Sequence, residues 1–185
     1  MQRQAVRDPL TGLFNRRYME ETIEREWRRA TRLGVPLGLI MMDIDHFKEF
    51  NDKYGHGAGD TVLSALGRLI KAHIREEDVG CRYGGEEFLV ILPGASLKVS
   101  HKRAEMLWMR IKQRHKRPDM PIRHPISASL GVAVFPDHGA TVTELIKAAD
   151  SALYQAKRAG RNQIITAQRT QCFLPDYPDQ VTAVQ

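Results

Sequence analysis

The unbroken apolar run Leu37-Gly38-Leu39-Ile40-Met41-Met42 constrains this chain more than any other stretch of it. It is far too short to cross a bilayer, which takes about 20 residues. It also lacks the polar alternation of a strand with one wet face. A short continuous run of this kind predicts a strand buried on both faces, so the chain must supply cover on both sides of a sheet.

The flanking sequence supplies that cover as alternating helices and strands. Asp8-Pro9-Leu10-Thr11-Gly12 reads as a turn, and Arg16 to Leu33 as a helix closed by Gly34 and Pro36. After the run, a short charged helix is predicted over His46 to Lys53. Gly55-His56-Gly57-Ala58-Gly59 should break it, with a further helix over Asp60 to Ile74 carrying Val62, Leu63, Leu66, Leu69 and Ile70 at helical spacing. Val79 to Tyr83 and Phe88 to Leu92 read as strands of a hairpin around Gly84-Gly85-Glu86-Glu87. Leu97 to His115 should be helical, with Ala104, Leu107, Trp108 and Ile111 turned inward, and Ile126 to Val134 a strand. Thr141-Val142-Thr143-Glu144 is a capping-box signature for a last helix stopping at Gly160, and Asn162 to Thr166 fits a short edge strand.

The expected fold is therefore α+β, an α/β sandwich with about five strands around an antiparallel hairpin. Its 185 residues suit one domain, taken as 1–167, followed by a polar, loosely ordered tail over 168–185. Cys81 and Cys172 form neither a metal knuckle nor a redox pair, and Cys81 reads as a small buried residue. The opening residues Met1 to Asp8 are polar and show no secretory signal, which leaves the cytoplasm as the expected compartment. A net charge of +6 suits an anionic partner. The basic residues, including Arg28-Arg29 and His115-Lys116-Arg117, are scattered and lack interleaved aromatics, which argues against nucleic acid.

Three places carry candidate chemistry. In Arg82-Tyr83-Gly84-Gly85-Glu86-Glu87-Phe88, two glycines leave backbone bare beside adjacent carboxylates, which repel unless cations hold them. A solvated acidic hairpin tip is the plainer alternative. Asp43 and Asp45 end the first buried strand, where carboxylates suit Mg²⁺, an ion commonly held by one or two of them plus substrate phosphates. Asp45 is read as the N-cap of the helix that follows, which leaves Asp43 as the better ligand. Lys157 and Arg161 lie four apart near a helix terminus; cation placement at a helix C-terminus accounts for Lys157 alone. Together these sites have the logic of triphosphate binding, with metal ions on one side and fixed cations on the other.

The hairpin Arg82–Phe88 closely resembles the signature of GGDEF-domain diguanylate cyclases, in the variant with Glu at the third place. The blocks Asp8-Pro-Leu-Thr-Gly-Leu-Phe-Asn-Arg-Arg, Asp43-Ile-Asp-His-Phe-Lys, Asn51-Asp, Tyr54-Gly-His-Gly-Ala-Gly-Asp, Ser129-Leu-Gly-Val-Ala and Ala149-Asp-Ser-Ala-Leu-Tyr-Gln-Ala-Lys-Arg-Ala-Gly-Arg-Asn also look like family motifs, in family order.

The resemblance implies a cyclase- and polymerase-palm-like fold and condensation of two GTP into cyclic di-GMP by a homodimer with Mg²⁺ or Mn²⁺. On it, Asp43 and Glu86 hold metal with the Ile44 carbonyl, and Glu87 ligates metal or helps deprotonate the attacking hydroxyl. Gly84 and Gly85 admit the triphosphate, which Lys48, Lys157 and Arg161 bind. Asn51 and Asp60 read guanine, and a carboxylate at Asp60 gives a reason for GTP over ATP. Phe47 lines the pocket or simply packs in the core. Arg75-Glu76-Glu77-Asp78 matches an inhibitory RxxD site for cyclic di-GMP. The position aligned with that site's further arginine holds Met106, with Lys102, Arg103 and Arg110 nearby. An upstream sensor or receiver domain in a longer parent chain is implied, and no membrane contact by this domain. The rival reading is a non-catalytic cyclic di-GMP receptor acting through Arg75 and Asp78.

Overall fold

In a computed structural model, residues 6–113 and 124–169 are described. Cys172, the basic cluster at 115–117 and all but the first two residues of the expected tail lie outside them. The elements are α1 (Arg16–Leu33), β1 (Leu37–Ile44), α2 (Phe47–Tyr54), α3 (His56–His73), β2 (Val79–Arg82), β3 (Glu87–Pro93), α4 (Leu97–Gln113), β4 (Ala128–Phe135), α5 (Val142–Arg158) and β5 (Ile164–Thr166). They build one five-stranded sheet in the order β2-β3-β1-β4-β5. All pairings are antiparallel except β4 with β5. The predicted α+β sandwich is the observed one.

β1 is buried along its whole length, as its continuous apolar run requires. Its side chains alternate between two cores. Ile40, Met42 and Ile44 pack with residues of α3 and α4, while Leu37, Leu39 and Met41 pack with residues of α1 and α5. This parity matters at the end of the strand, because Asp43 belongs with the odd residues on the α5 side. α5 approaches β4 closely enough that a Cβ on Gly131 would run into the backbone at Ala149 O and Leu153 N.

The local signals mostly act as the sequence suggests. Asn15 caps α1 by accepting from Tyr18 N at 3.0 Å, and Gly34 closes it at φ 63°. Thr141 caps α5 through Glu144 N at 3.2 Å, and the Glu144 carboxylate reaches back to Ala140 N at 2.8 Å. Burial pushes the Cys81 thiol up to about 12, as befits an inert core residue.

Four expectations need correction. Only Gly55 breaks the chain between α2 and α3: the second helix starts at His56, with Gly57 and Gly59 in its first turns. Gly59 packs closely there: a Cβ would overlap the amide of Asn51, which α2 presents against it. Asp45 is not an N-cap; His46 holds that position in left-handed backbone (φ 55°), and Asp45 is engaged elsewhere. Glu87 lies in β3 rather than the loop, opposite Asp43. Trp108 is only partly buried, at the margin of the α4 stripe formed by Ala104, Leu107 and Ile111.

Candidate functional site

Antiparallel pairing brings the C-terminal end of β1, the N-terminal ends of β3 and β4 and the β2–β3 hairpin to one edge of the sheet. α5 ends at the same edge. Asp43 is 4% exposed and its Oδ2 accepts from Lys157 Nζ at 2.7 Å. Burial raises the Asp43 pKa, and the lysine opposes that shift, with Arg161 adding to the opposition. The Glu86 pKa is also raised, first by burial and then by the charge of Asp43, with Glu87 contributing; Lys157 again acts the other way. The fold therefore holds the acids where water solvates them poorly and where they repel one another.

The hairpin has its own support, which sequence reasoning missed. Arg82 donates from Nη2 to Gly85 O at 2.8 Å and from Nε to Gly84 O at 3.2 Å. Its Nη1 pairs with Asp8 at 3.2 Å. Asp8 in turn holds the Asp8–Gly12 turn through Thr11 N and Oγ1, at 2.8 and 2.7 Å. Tyr83 N to Glu87 O, 2.8 Å, closes the loop. An arginine directly before a diglycine was the available signal, since bare carbonyls need donors. A Cβ on Gly85 would meet nothing within 4 Å; the fold does not demand glycine there, whereas a ligand lying on the backbone would.

The other expected residues fall into three groups. Phe47 is in the core, 7% exposed, with its Cζ near Gly59. Asn51 lies beside it, its Oδ1 buried without a partner among the described residues. Asp60 and Lys48 are exposed on α3 and α2. Arg161 follows α5 at φ 62°, its backbone N bonded to Ala156 O at 2.9 Å.

Arg75 and Asp78 lie at the far end of β2 from the hairpin, so they are not part of the acidic site. Asp78, 7% exposed, accepts from Arg75 N at 2.8 Å and from Arg103 Nη1 at 3.4 Å. Burial raises its pKa against the pull of these partners. Arg75 itself is exposed and pairs with Glu77 at 3.5 Å. Of the basic residues near Met106, Arg103 is the one that reaches Asp78.

Among the described residues, no three His, Cys, Asp or Glu side chains converge as a ready cation cage. The donor set nonetheless fits Mg²⁺, which keeps waters and takes one or two carboxylates with substrate phosphates. Asp43 and Glu86 are two such carboxylates, both raised by burial, and the charge of Asp43 adds to the need of Glu86 for a counter-charge.

An antiparallel-cored α/β sandwich with carboxylates at the sheet edge and a glycine hairpin beside them defines a palm-like class of domain, suited to handling nucleotide phosphates. The chain belongs to the GGDEF-domain diguanylate cyclase family: the family model "Diguanylate cyclase, GGDEF domain" matches residues 5–163. It is 39% identical over 166 residues to the response regulator PleD of Caulobacter vibrioides, covering 87% of this chain and 36% of PleD. It is 38% identical over 157 residues to the diguanylate cyclase DosC of Escherichia coli, covering 85% of this chain and 34% of DosC. The chain thus spans about a third of the length of the curated relatives it matches.

Solved structures agree on the fold. The GGDEF domain of DgcB from Caulobacter crescentus, in complex with c-di-GMP, superposes with a TM-score of 0.81 at 33% identity, over 90% of this chain and 98% of that one. The active GGEEF domain of a diguanylate cyclase from Vibrio cholerae gives 0.77 at 32% identity, over 84% and 98%.

Proposed function

We propose that this domain is an active diguanylate cyclase that joins two GTP molecules into cyclic di-GMP and releases two pyrophosphates. The observation that carries the reading is the Asp43–Glu86 pair at the sheet edge, faced by Lys157 and bordered by the bare Gly84-Gly85 backbone. A receptor has no use for that arrangement. The relatives named as diguanylate cyclases support the reading, as does the solved GGEEF domain described as active.

In this mechanism Asn51 and Asp60 hold guanine, with Phe47 shaping the pocket behind them. Asp60 accepts from the guanine N1–H and N2–H, which adenine lacks. The triphosphate lies along Gly84 and Gly85, with Lys48, Lys157 and Arg161 on its oxygens. Asp43, Glu86 and the Ile44 carbonyl would hold Mg²⁺ or Mn²⁺, which would neutralise phosphate charge, and of the two roles open to Glu87 we assign it that of base. Each site carries one GTP, so closing the ring needs two copies face to face. The 3′-hydroxyl of one GTP attacks the α-phosphorus of the other, its proton passing to Glu87, and the bond to pyrophosphate breaks. Holding both reactants in line supplies much of the acceleration.

Arg75 and Asp78 form a second site, for the product, with Arg103 as their neighbour. Among the described residues no helix is long and apolar enough to cross a membrane, and we place this domain in the cytoplasm, behind an upstream sensor or receiver domain. Chromatography of products after incubation with GTP and Mg²⁺ tests the central reading. Cyclic di-GMP from the wild type and none from Glu86→Ala is the expected result. Tight cyclic di-GMP binding without turnover would favour the receptor instead.

A further inference from the structure

Asp45 has been displaced from its expected role and given a more specific one. It is 7% exposed, and it accepts from three groups on two other segments. Ser129 Oγ donates to Oδ1 at 2.7 Å, Ser127 Oγ to Oδ2 at 2.7 Å, and the backbone N of Asn162 to Oδ2 at 3.0 Å. Only a carboxylate offers this many acceptor positions with no donor of its own to satisfy. It does so two residues from Asp43, whose charge it disfavours.

The tie acts on the loop that carries Arg161. Arg161 and Asn162 occupy left-handed backbone in succession, at φ 62° and 48°. Non-glycine residues adopt this region at a cost and persist there only where surroundings enforce it. The enforcement is visible on every side. Arg161 N bonds to Ala156 O at 2.9 Å and Leu130 N to Gln163 O at 2.9 Å. Asn162 N is held by Asp45, and Asn162 Oδ1 accepts from Trp108 Nε1 at 3.1 Å. The two acids of β1's end therefore bracket the end of α5, Asp43 through the Lys157 side chain and Asp45 through the loop backbone.

We infer that Asp45 is a positioning residue for phosphate binding: it fixes the Arg161 loop so that the guanidinium meets the nucleotide phosphates, with Trp108 bracing the loop from α4. The inference rests on the proposed reading of Arg161 as a phosphate ligand. Neither Asp45 nor Trp108 touches substrate in this scheme.

The test measures GTP and guanosine binding, by competition, for wild type, Asp45→Asn, Trp108→Phe, Arg161→Ala and the double variant Asp45→Asn/Arg161→Ala. Trp108→Phe keeps an aromatic side chain at the margin of the core and removes the N–H with the five-membered ring, so it decides the matter if Asp45→Asn fails to fold. GTP affinity should fall about tenfold in Asp45→Asn, the size of one charge-assisted contact, and less in Trp108→Phe. Guanosine affinity should not change in either, which a general loss of structure would not spare. The double variant should bind GTP no more weakly than Arg161→Ala alone. If Arg161→Ala weakens GTP while Asp45→Asn and Trp108→Phe do not, or if the Asp45 and Arg161 effects add in full, the positioning role is wrong. If Arg161→Ala binds GTP like wild type, the phosphate role of Arg161 falls, and the inference with it.

Discussion

Replacing Gly59 by alanine should separate base recognition from folding. The added Cβ would overlap Asn51 Oδ1 and lie 3.0 Å from Asn51 Cγ and 3.1 Å from Phe47 Cζ. Something must move, and Asn51 is the easy candidate. Its Oδ1 is buried without a partner among the described residues, so rotating the amide away breaks no bond within the fold. Alanine is favoured over glycine inside a helix by about 1 kcal/mol. Overpacking against Phe47 costs about 1–3 kcal/mol. The net change in stability should thus be a loss of no more than about 2 kcal/mol. The functional loss is a misplaced hydrogen-bonding group at the base, about 0.5–1.5 kcal/mol, or roughly a twofold to tenfold weaker hold on GTP. Asn51→Ala should weaken GTP similarly with no overpacking. Calorimetric GTP titration beside a thermal melt reads both quantities. GTP binding unchanged in Gly59→Ala would refute the role of Asn51, since its amide cannot remain where it is.

Other consequences follow from the same geometry. Gly131→Ala should destabilise the domain by about 3 kcal/mol or more, because its clash is with α5 backbone that cannot rotate aside; a melt within a degree or two of wild type would contradict the packing of α5 on β4. Lys157→Met should raise the Asp43 pKa further, removing the partner that opposes its burial, and should move the acid limb of the rate profile to higher pH. His138 is buried, accepts from Val134 N at 2.8 Å, and has its pKa lowered from 6.5 by burial. The unfolded chain then binds the proton more readily, so its stability contribution is complete above pH 6.5 and lost as pH falls toward the folded value. Melts from pH 7.5 down to 5 should show this decline in wild type, and a flatter profile in a folded His138→Gln variant. Arg75→Ala should relieve slowing by accumulated cyclic di-GMP without lowering the initial rate, and equal slowing of both proteins in progress curves would refute the inhibitory-site reading.

Much of this architecture is legible in the sequence because short-range physics dictates it. The unbroken Leu37–Met42 run needs cover on both faces, and the Asn15 and Thr141 caps and Gly34 act through neighbours a few residues away. The gathering of Asp43, Glu86 and Lys157 is legible only through the family motifs, because spacing alone does not reveal which strand ends share an edge. Asp45 shows the limit. Its position before a helix suits an N-cap, but its partners, Ser127, Ser129 and Asn162, are more than 80 residues away in sequence. Gly57 and Gly59 mislead for a related reason. Helix propensity counts them as breakers, while at Gly59 the missing Cβ is what lets α2 lay Asn51 against the helix.

The most direct test of the central claim is the stoichiometry of turnover with GTP and Mg²⁺, followed for wild type, Asp43→Asn and Glu86→Gln. The account predicts two pyrophosphates released for every cyclic di-GMP formed by wild type, with a rate per molecule that rises with protein concentration as pairs of sites assemble. It also predicts loss of both products in either variant while guanosine still binds. Wild-type release of inorganic phosphate and GDP without cyclic product, or near-normal cyclic di-GMP formation by either variant, would contradict it.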